Sequence, residues 1–336
     1  MGIRTGGPAP VPNIMNLRDI HVPVLLERCI ALLGPALQRA ADEGRTAVYV
    51  DGTLGMGGHS EAFLERFPDI RHIGLDRDPD ALRIAGERLA PFADRSTLVH
   101  TVYDGIAEAL EIAGVDHADA ILYDLGVSSL QLDEAERGFA YAQDAPLDMR
   151  MDPTQGITAA DVLASYGEGD LRRIFERYGE EKLAGRYARA IIAARQETPL
   201  ERSGRLVDIL QAATPAALKN AGHPAKRVFQ ALRIEVNGEL AALERAIPAA
   251  LRTLSVGGRL VVLSYQSLED RFVKRLFAEA TSSTAPAGLP MELPEHAAQF
   301  RLLVKGAELA GDDEAALNPR AKPVRLRAIE RVREAA

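Results

Sequence analysis

Cysteine is almost absent: Cys29 is the only one in 336 residues. A single thiol excludes an intramolecular disulfide and any zinc site built on cysteines. Long apolar runs are missing as well. None approaches the ~18–20 residues that a membrane span needs, so no membrane partner is expected. The opening stretch MGIRTGGPAPVPNIMN has no hydrophobic region. It reads as a flexible tail over residues 1–16 and not as a secretory signal. It begins Met-Gly, but Gly6 stands where a myristoylation signal carries Ser or Thr. The seven histidines are scattered, without HxH or HExxH spacing, and no metal is expected. A cytoplasmic location follows from these absences.

What is present is an ordinary globular composition, 47% hydrophobic, with a net charge of -8. An acidic balance argues against a general nucleic-acid coat, because phosphate binding depends on Lys and Arg. The positive charge is concentrated, however. Arg172, Arg173, Arg177, Lys182, Arg186, Arg189 and Arg195 crowd residues 171–195, and the tail from 318 to 333 is basic too. Each could be a solvated face or a phosphate-binding one.

Short apolar runs alternate with helical patterns through the first 125 residues. TAVYVD, RHIGLD, STLVHT and ADAILYDLG read as strands with helices between them, the second helix having Pro79 in its first turn. This alternation is the sequence form of an open parallel sheet with helices on both faces. It stops at about residue 135. Helical segments fill the stretch to about 225, and strand pattern returns at GGRLVVLSYQ, QFRLLVKGAEL and KPVRLRAIER. One α/β domain with a helical insertion of roughly 90–100 residues is the simplest organisation.

The first strand runs into VYVDGTLGMGGHS, with four glycines in seven residues. Glycines there let the backbone turn sharply and approach a ligand, and the following helix aims free N–H groups at it. Gly52, Gly55, Gly57 and Gly58 are therefore the expected ligand cradle. The dinucleotide fingerprint G-x-G-x-x-G fails at Ser60, and no Walker lysine follows. Asp51, Asp76 and Asp124 each end a strand and are expected to converge. Acids in that position suit ribose hydroxyls and a cationic sulfonium, and would repel phosphates. S-adenosyl-L-methionine fits better than a phosphorylated cofactor. An NAD-dependent oxidoreductase and a non-catalytic nucleic-acid-binding module remain the alternatives.

In order along the chain, DGTLGMGGHS, GLDRDP, LYDLGVSSLQLDEAERGFAYAQDAPLDMRMDP, RVFQALRIEVNGEL, GGRLVVLSYQSLEDR and NPRAK resemble the MraW/RsmH family, the bacterial 16S rRNA (cytosine-N4) methyltransferases. The likeness runs from about His21 to Arg327 and is most specific over residues 123–153. It implies a Rossmann-like class I methyltransferase sheet, mostly parallel with an antiparallel C-terminal strand, over 17–134 and 236–336. It also implies an all-helical substrate-recognition domain over 135–235. The implied reaction methylates the exocyclic N4 amine of a cytidine in the decoding region of 16S rRNA, within the small ribosomal subunit; no protein partner is implied.

Carried over by position, Gly57, Gly58 and His59 would contact the cofactor, Asp76 its ribose and Tyr103 its adenine. Asp124 and Gln131 would complete the pocket. An exocyclic amine is a poor nucleophile, so it must be held in line with the methyl group and its protons drawn to acceptors. Asp124, with the carbonyls of Leu125 and Gly126, is the first acceptor candidate, and Ser267 is the second catalytic candidate. His21, Glu27, Asp144, Asp148 and Asp152 read as lid or substrate-positioning groups, or as an acidic loop paired with Arg150 and its neighbours, the reading preferred for Asp152. Arg172, Arg173, Arg186, Arg189, Lys226 and Arg227 are the candidates for RNA phosphate. One residue departs from the family pattern: Gln266 stands where the family usually has histidine, and Gln cannot titrate.

Overall fold

The computed structural model describes residues 23–218, 222–286, 293 and 296–334. The expected N-terminal tail and His21 lie outside them. Seven strands form one sheet: β1 (Val48–Asp51), β2 (Arg71–Asp76), β3 (Ser96–His100), β4 (Ala118–Asp124), β5 (Leu254–Ser264), β6 (Phe300–Leu302) and β7 (Arg325–Arg331). Their order is β3-β2-β1-β4-β5-β7-β6. The first five pair in parallel, β7 runs antiparallel to β5, and β6 antiparallel to β7. This is the expected Rossmann-like class I methyltransferase sheet.

The central strands read as near-continuous apolar runs because both faces are covered. Every residue of β4 except Asp124 is buried. On one face Val50, Ile73, Ile121, Tyr123 and Val262 pack under the helices Ile106–Ala113, Glu239–Thr253 and Ser267–Ala280. On the other, Tyr49, Leu122, Val261 and Leu263 meet the helices Leu26–Asp42 and Gly58–Arg66.

Between β4 and β5 the described residues form helices and loops. A third apolar cluster, with members from Phe139 to Leu232, belongs to that segment. The last helix before β5, Glu239–Thr253, instead packs on the sheet. Along the chain β4 and β5 are far apart, yet Asp124 pairs with Leu263 in register.

The sheet order reverses between β1 and β4. In open α/β sheets a crevice forms at that point, outside the carboxyl ends of the strands. Asp51 and Asp124 end the two strands that flank it, and Asp76 ends the next strand over.

Candidate active site

A cavity of about 430 Å³ opens at those strand ends, within the range of small-molecule sites. Its first wall is the turn after β1, where Gly52, Thr53, Leu54, Gly55 and Met56 lead into Gly58 and His59. Gly52 lies against the Tyr123 ring, which a Cβ would overlap. Gly57 does not form part of the wall; it caps the helix Gly58–Arg66 at φ 78°, in the left-handed region that favours glycine. The Gly55 N–H donates to Asp76 Oδ2 at 2.7 Å, and the Asp78 N–H donates to Asp76 Oδ1 at 2.9 Å. One carboxylate thus fixes the glycine turn and the start of the next loop together.

Asp76 and Asp124 both line the cavity; Asp51 does not. Asp51 is buried beneath the turn, where it accepts hydrogen bonds from Ser60 Oγ at 2.7 Å and the Thr53 N–H at 3.3 Å. The expected convergence of three acids therefore holds for two, because Ser60 and Thr53 occupy the third. Asp124 is held from two sides. Its N–H donates to Thr53 Oγ1 at 2.6 Å, and Tyr265 Oη donates to its Oδ1 at 2.7 Å.

Burial pushes the Asp124 carboxyl up to about 7; the Tyr265 hydrogen bond opposes this, and Asp51 and Glu269 add to it. Burial raises Asp76 and Asp51 to about 6 each, against the hydrogen bonds they accept. His59 lies with Nδ1 3.9 Å from Asp124 Oδ2, but this is no ion pair. Burial lowers its imidazole to about 4, and Nε2 carries the proton because it faces the Val24 carbonyl at 3.1 Å. Among the described residues, neither Asp76 nor Asp124 is ion-paired with Lys or Arg.

Tyr103 stands on the wall near Leu243, its Oη donating to the Glu239 carbonyl at 3.1 Å. Gln131 reaches the cavity from the short helix Ser129–Asp133. Its Oε1 accepts from the Ser128 N–H, and its Nε2 donates to Asp78 Oδ2 at 3.0 Å. Asp78, fully buried, also accepts from Arg137 at 2.9 Å and from the Asp80 N–H, capping the helix Pro79–Arg88. Asp78 thus makes a buried tie between the loop after β2 and the segment after β4.

Ser267 is not brought to the cavity. It is exposed, and its Oγ donates to Glu180 Oε2 at 2.8 Å, beside Arg271 on the same carboxylate. Asp148 and Asp144 pair with Arg150 and Arg202. Asp152 does not pair with Arg150 as expected. It accepts from Thr154 and Gln155 and lies 3.4 Å from His100. On the helices Glu168–Arg177 and Ala184–Glu197, Arg172, Arg173 and Arg189 contact Glu176, Asp170 and Glu168 at exposed positions, and Arg186 is exposed.

Among the wall residues not anticipated from sequence as site groups are Arg233, Glu239, Tyr265 and, in this place, Glu269. Arg233 and Glu239 form a two-pronged pair at 2.8 Å. They flank Asn237-Gly238, where the chain leaves one helix and starts the next with Gly238 at φ 59°. The NG pair was the available signal.

Comparison with known proteins gives one family. The family described as the MraW methylase family matches residues 18–332. The protein called ribosomal RNA small subunit methyltransferase H of Leifsonia xyli subsp. xyli is 68% identical over 94% of this chain and 95% of its own. Its namesake from Clavibacter michiganensis subsp. michiganensis is 65% identical over 95% and 99%. That of Mycolicibacterium gilvum is 60% identical over 98% and 88%.

Proposed function

Because this chain belongs to the MraW methylase family, we propose that it transfers a methyl group from S-adenosyl-L-methionine to the N4 amine of a cytidine in 16S rRNA, within the small ribosomal subunit. The names of its relatives support the RNA substrate. The observation that carries the cofactor is the pair of cavity acids, Asp76 and Asp124, raised by burial and left without a cationic partner. A donor set of that kind fits a ligand that brings its own positive charge. When bound, the cofactor supplies an electrophilic methyl group on a sulfonium.

The residues divide the work. Asp76 keeps lone pairs for ribose hydroxyls, since each carboxylate oxygen accepts more than the one backbone N–H it holds. Tyr103 and Leu243 form an apolar wall for the adenine. Asp124, fixed by Thr53 and Tyr265, faces the cationic end, and neutral His59 packs beside it without competing as a charge. Gly58 and His59, in the first turn of their helix, present backbone N–H groups to a carboxylate. Gly57 contributes through the turn it permits, and Gln131 closes the wall from the far side.

The helical segment over 135–235, with its own apolar cluster, is the substrate-recognition domain. Its exposed Arg172, Arg173 and Arg189 are held only by weak surface pairs, so they can exchange a carboxylate for RNA phosphate. A ribosomal substrate places the protein in the cytoplasm. The oxidoreductase alternative is disfavoured at Ser60, which stands where the dinucleotide fingerprint needs glycine and whose hydroxyl is committed to buried Asp51.

The test is methyl transfer from labelled cofactor to small subunits lacking the modification, followed by nucleoside analysis, with Asp124→Ala alongside. N4-methylcytidine with the native chain and none with the variant is the expected result. Cofactor binding without labelled cytidine would remove the substrate and leave the cofactor site standing.

A further inference from the structure

Glu269 sits on the cavity wall one turn beyond Tyr265, in the first turn of the helix Ser267–Ala280. Its Oε2 accepts two backbone hydrogen bonds, from Tyr265 N–H at 2.9 Å and Gln266 N–H at 3.0 Å. No hydrogen bond or ion pair reaches its Oε1 among the described residues. Tyr265 links this carboxyl to Asp124: its backbone N–H holds Glu269, and its phenol holds Asp124 Oδ1. The two acids therefore stand on either side of one tyrosine, and they differ in what they have left. Asp124 Oδ1 is engaged, and its Oδ2 faces a neutral imidazole. Glu269 has a whole oxygen unused.

We propose that Glu269 is the proton acceptor for the target amine, which rests on the amine methyltransferase reading above. The balance is simple. The nitrogen lone pair forms the new N–C bond, and the C–S bonding pair stays on sulfur as a thioether. The nitrogen is left with one proton too many and a positive charge. That proton passes to Glu269 Oε1 and from there to solvent.

The groups around Glu269 suit the task. Arg233 opposes its protonation and Glu239 favours it, the two being tied to each other. Asp124 adds negative charge from β4, and Tyr103 and Tyr265 add none at neutral pH. Burial is the largest influence, and the carboxyl stands at about 7, the region in which a general base works best. Gln266, on the same turn, cannot titrate.

Glu269→Gln tests this, because the amide keeps a carbonyl oxygen for both backbone N–H groups. Single-turnover methyl transfer to unmodified small subunits is followed between about pH 6 and pH 9. In the native chain the rate should rise with pH and level off once the carboxylate is formed. The variant should be slower by roughly 10²–10⁴-fold and lose the rising limb. Its melting temperature without cofactor should not fall below the native value, which excludes a folding defect, and Glu269→Asp should restore the limb. A rising limb retained in Glu269→Gln overturns the proposal. A limb lost only in Asp124→Asn overturns it too, and assigns the proton to Asp124. If the native chain forms no N4-methylcytidine, the failure lies in the substrate reading and not in Glu269.

Discussion

Replacing Asp124 with Asn should make the cofactor-free protein more stable while damaging its function. Burial raises this carboxyl from the ordinary 3.8 to about 7, so the folded chain resists its ionisation. About three pKa units correspond to ~4 kcal/mol at ~1.36 kcal/mol per unit. The side chain is 24% exposed, and solvent in the cavity screens it, so ~2 kcal/mol is the better figure. The amide keeps an oxygen for Tyr265, so the hydrogen bond survives. For a chain of this size the gain amounts to about 3 °C in melting temperature.

The sign with pH is fixed by linkage. A carboxyl raised in the folded state destabilises it most above the folded value, and the cost shrinks as pH falls toward the unfolded value. The gain from Asp124→Asn should thus be full at pH 8, smaller at pH 5 and gone near pH 4. Thermal melts of both proteins without cofactor read it directly. A variant that melts at or below the native protein at pH 8 would refute the account of Asp124 as a strained, unpartnered charge.

Cofactor affinity should rise as pH increases through about 6 to 7, because a bound cation favours ionised Asp76 and Asp124. Calorimetry should show proton release, and the demethylated thioether product should show a weaker pH dependence; equal slopes would count against a sulfonium at these acids. Gly52→Ala should cost about 1–3 kcal/mol in denaturant unfolding, since the new methyl overlaps the buried Tyr123 ring. Asp78→Ala should cost about 1–3 kcal/mol, because it removes the shortest ion pair of Arg137 and uncaps the helix Pro79–Arg88. It should also weaken cofactor binding through the freed Gln131; unchanged affinity would show that Asp78 serves stability alone.

The sheet was legible because its strands are short apolar runs cut off by glycine and aspartate. RHIGLD is β2 residue for residue. Local signals also found the glycine turn and two of the cavity acids. They failed where a side chain's partner lies far along the chain. Asp51 looked like Asp76 and Asp124 in sequence, and its buried contacts with Ser60 and Thr53 separate it from them. Ser267 shares a motif with Glu269, yet the helix turns the serine outward to Glu180 and the glutamate inward. Arg233 and Glu239 reach the cavity across more than 100 residues from Asp124, and no periodicity encodes that meeting.

The pairing of β4 with β5 has a consequence for how the protein reaches this structure. The two strands are neighbours in the sheet, but residues 125–253 lie between them. Closing a flexible loop of roughly 130 residues costs about 4 kcal/mol in chain entropy, paid before any strand contact forms. If the apolar cluster from Phe139 to Leu232 condenses first, its ends are brought near each other and most of that cost is met locally. The helical segment then acts as a folding staple for the sheet. On that basis core mutations such as Phe175→Ala, far from the cofactor, should slow completion of the sheet in refolding kinetics.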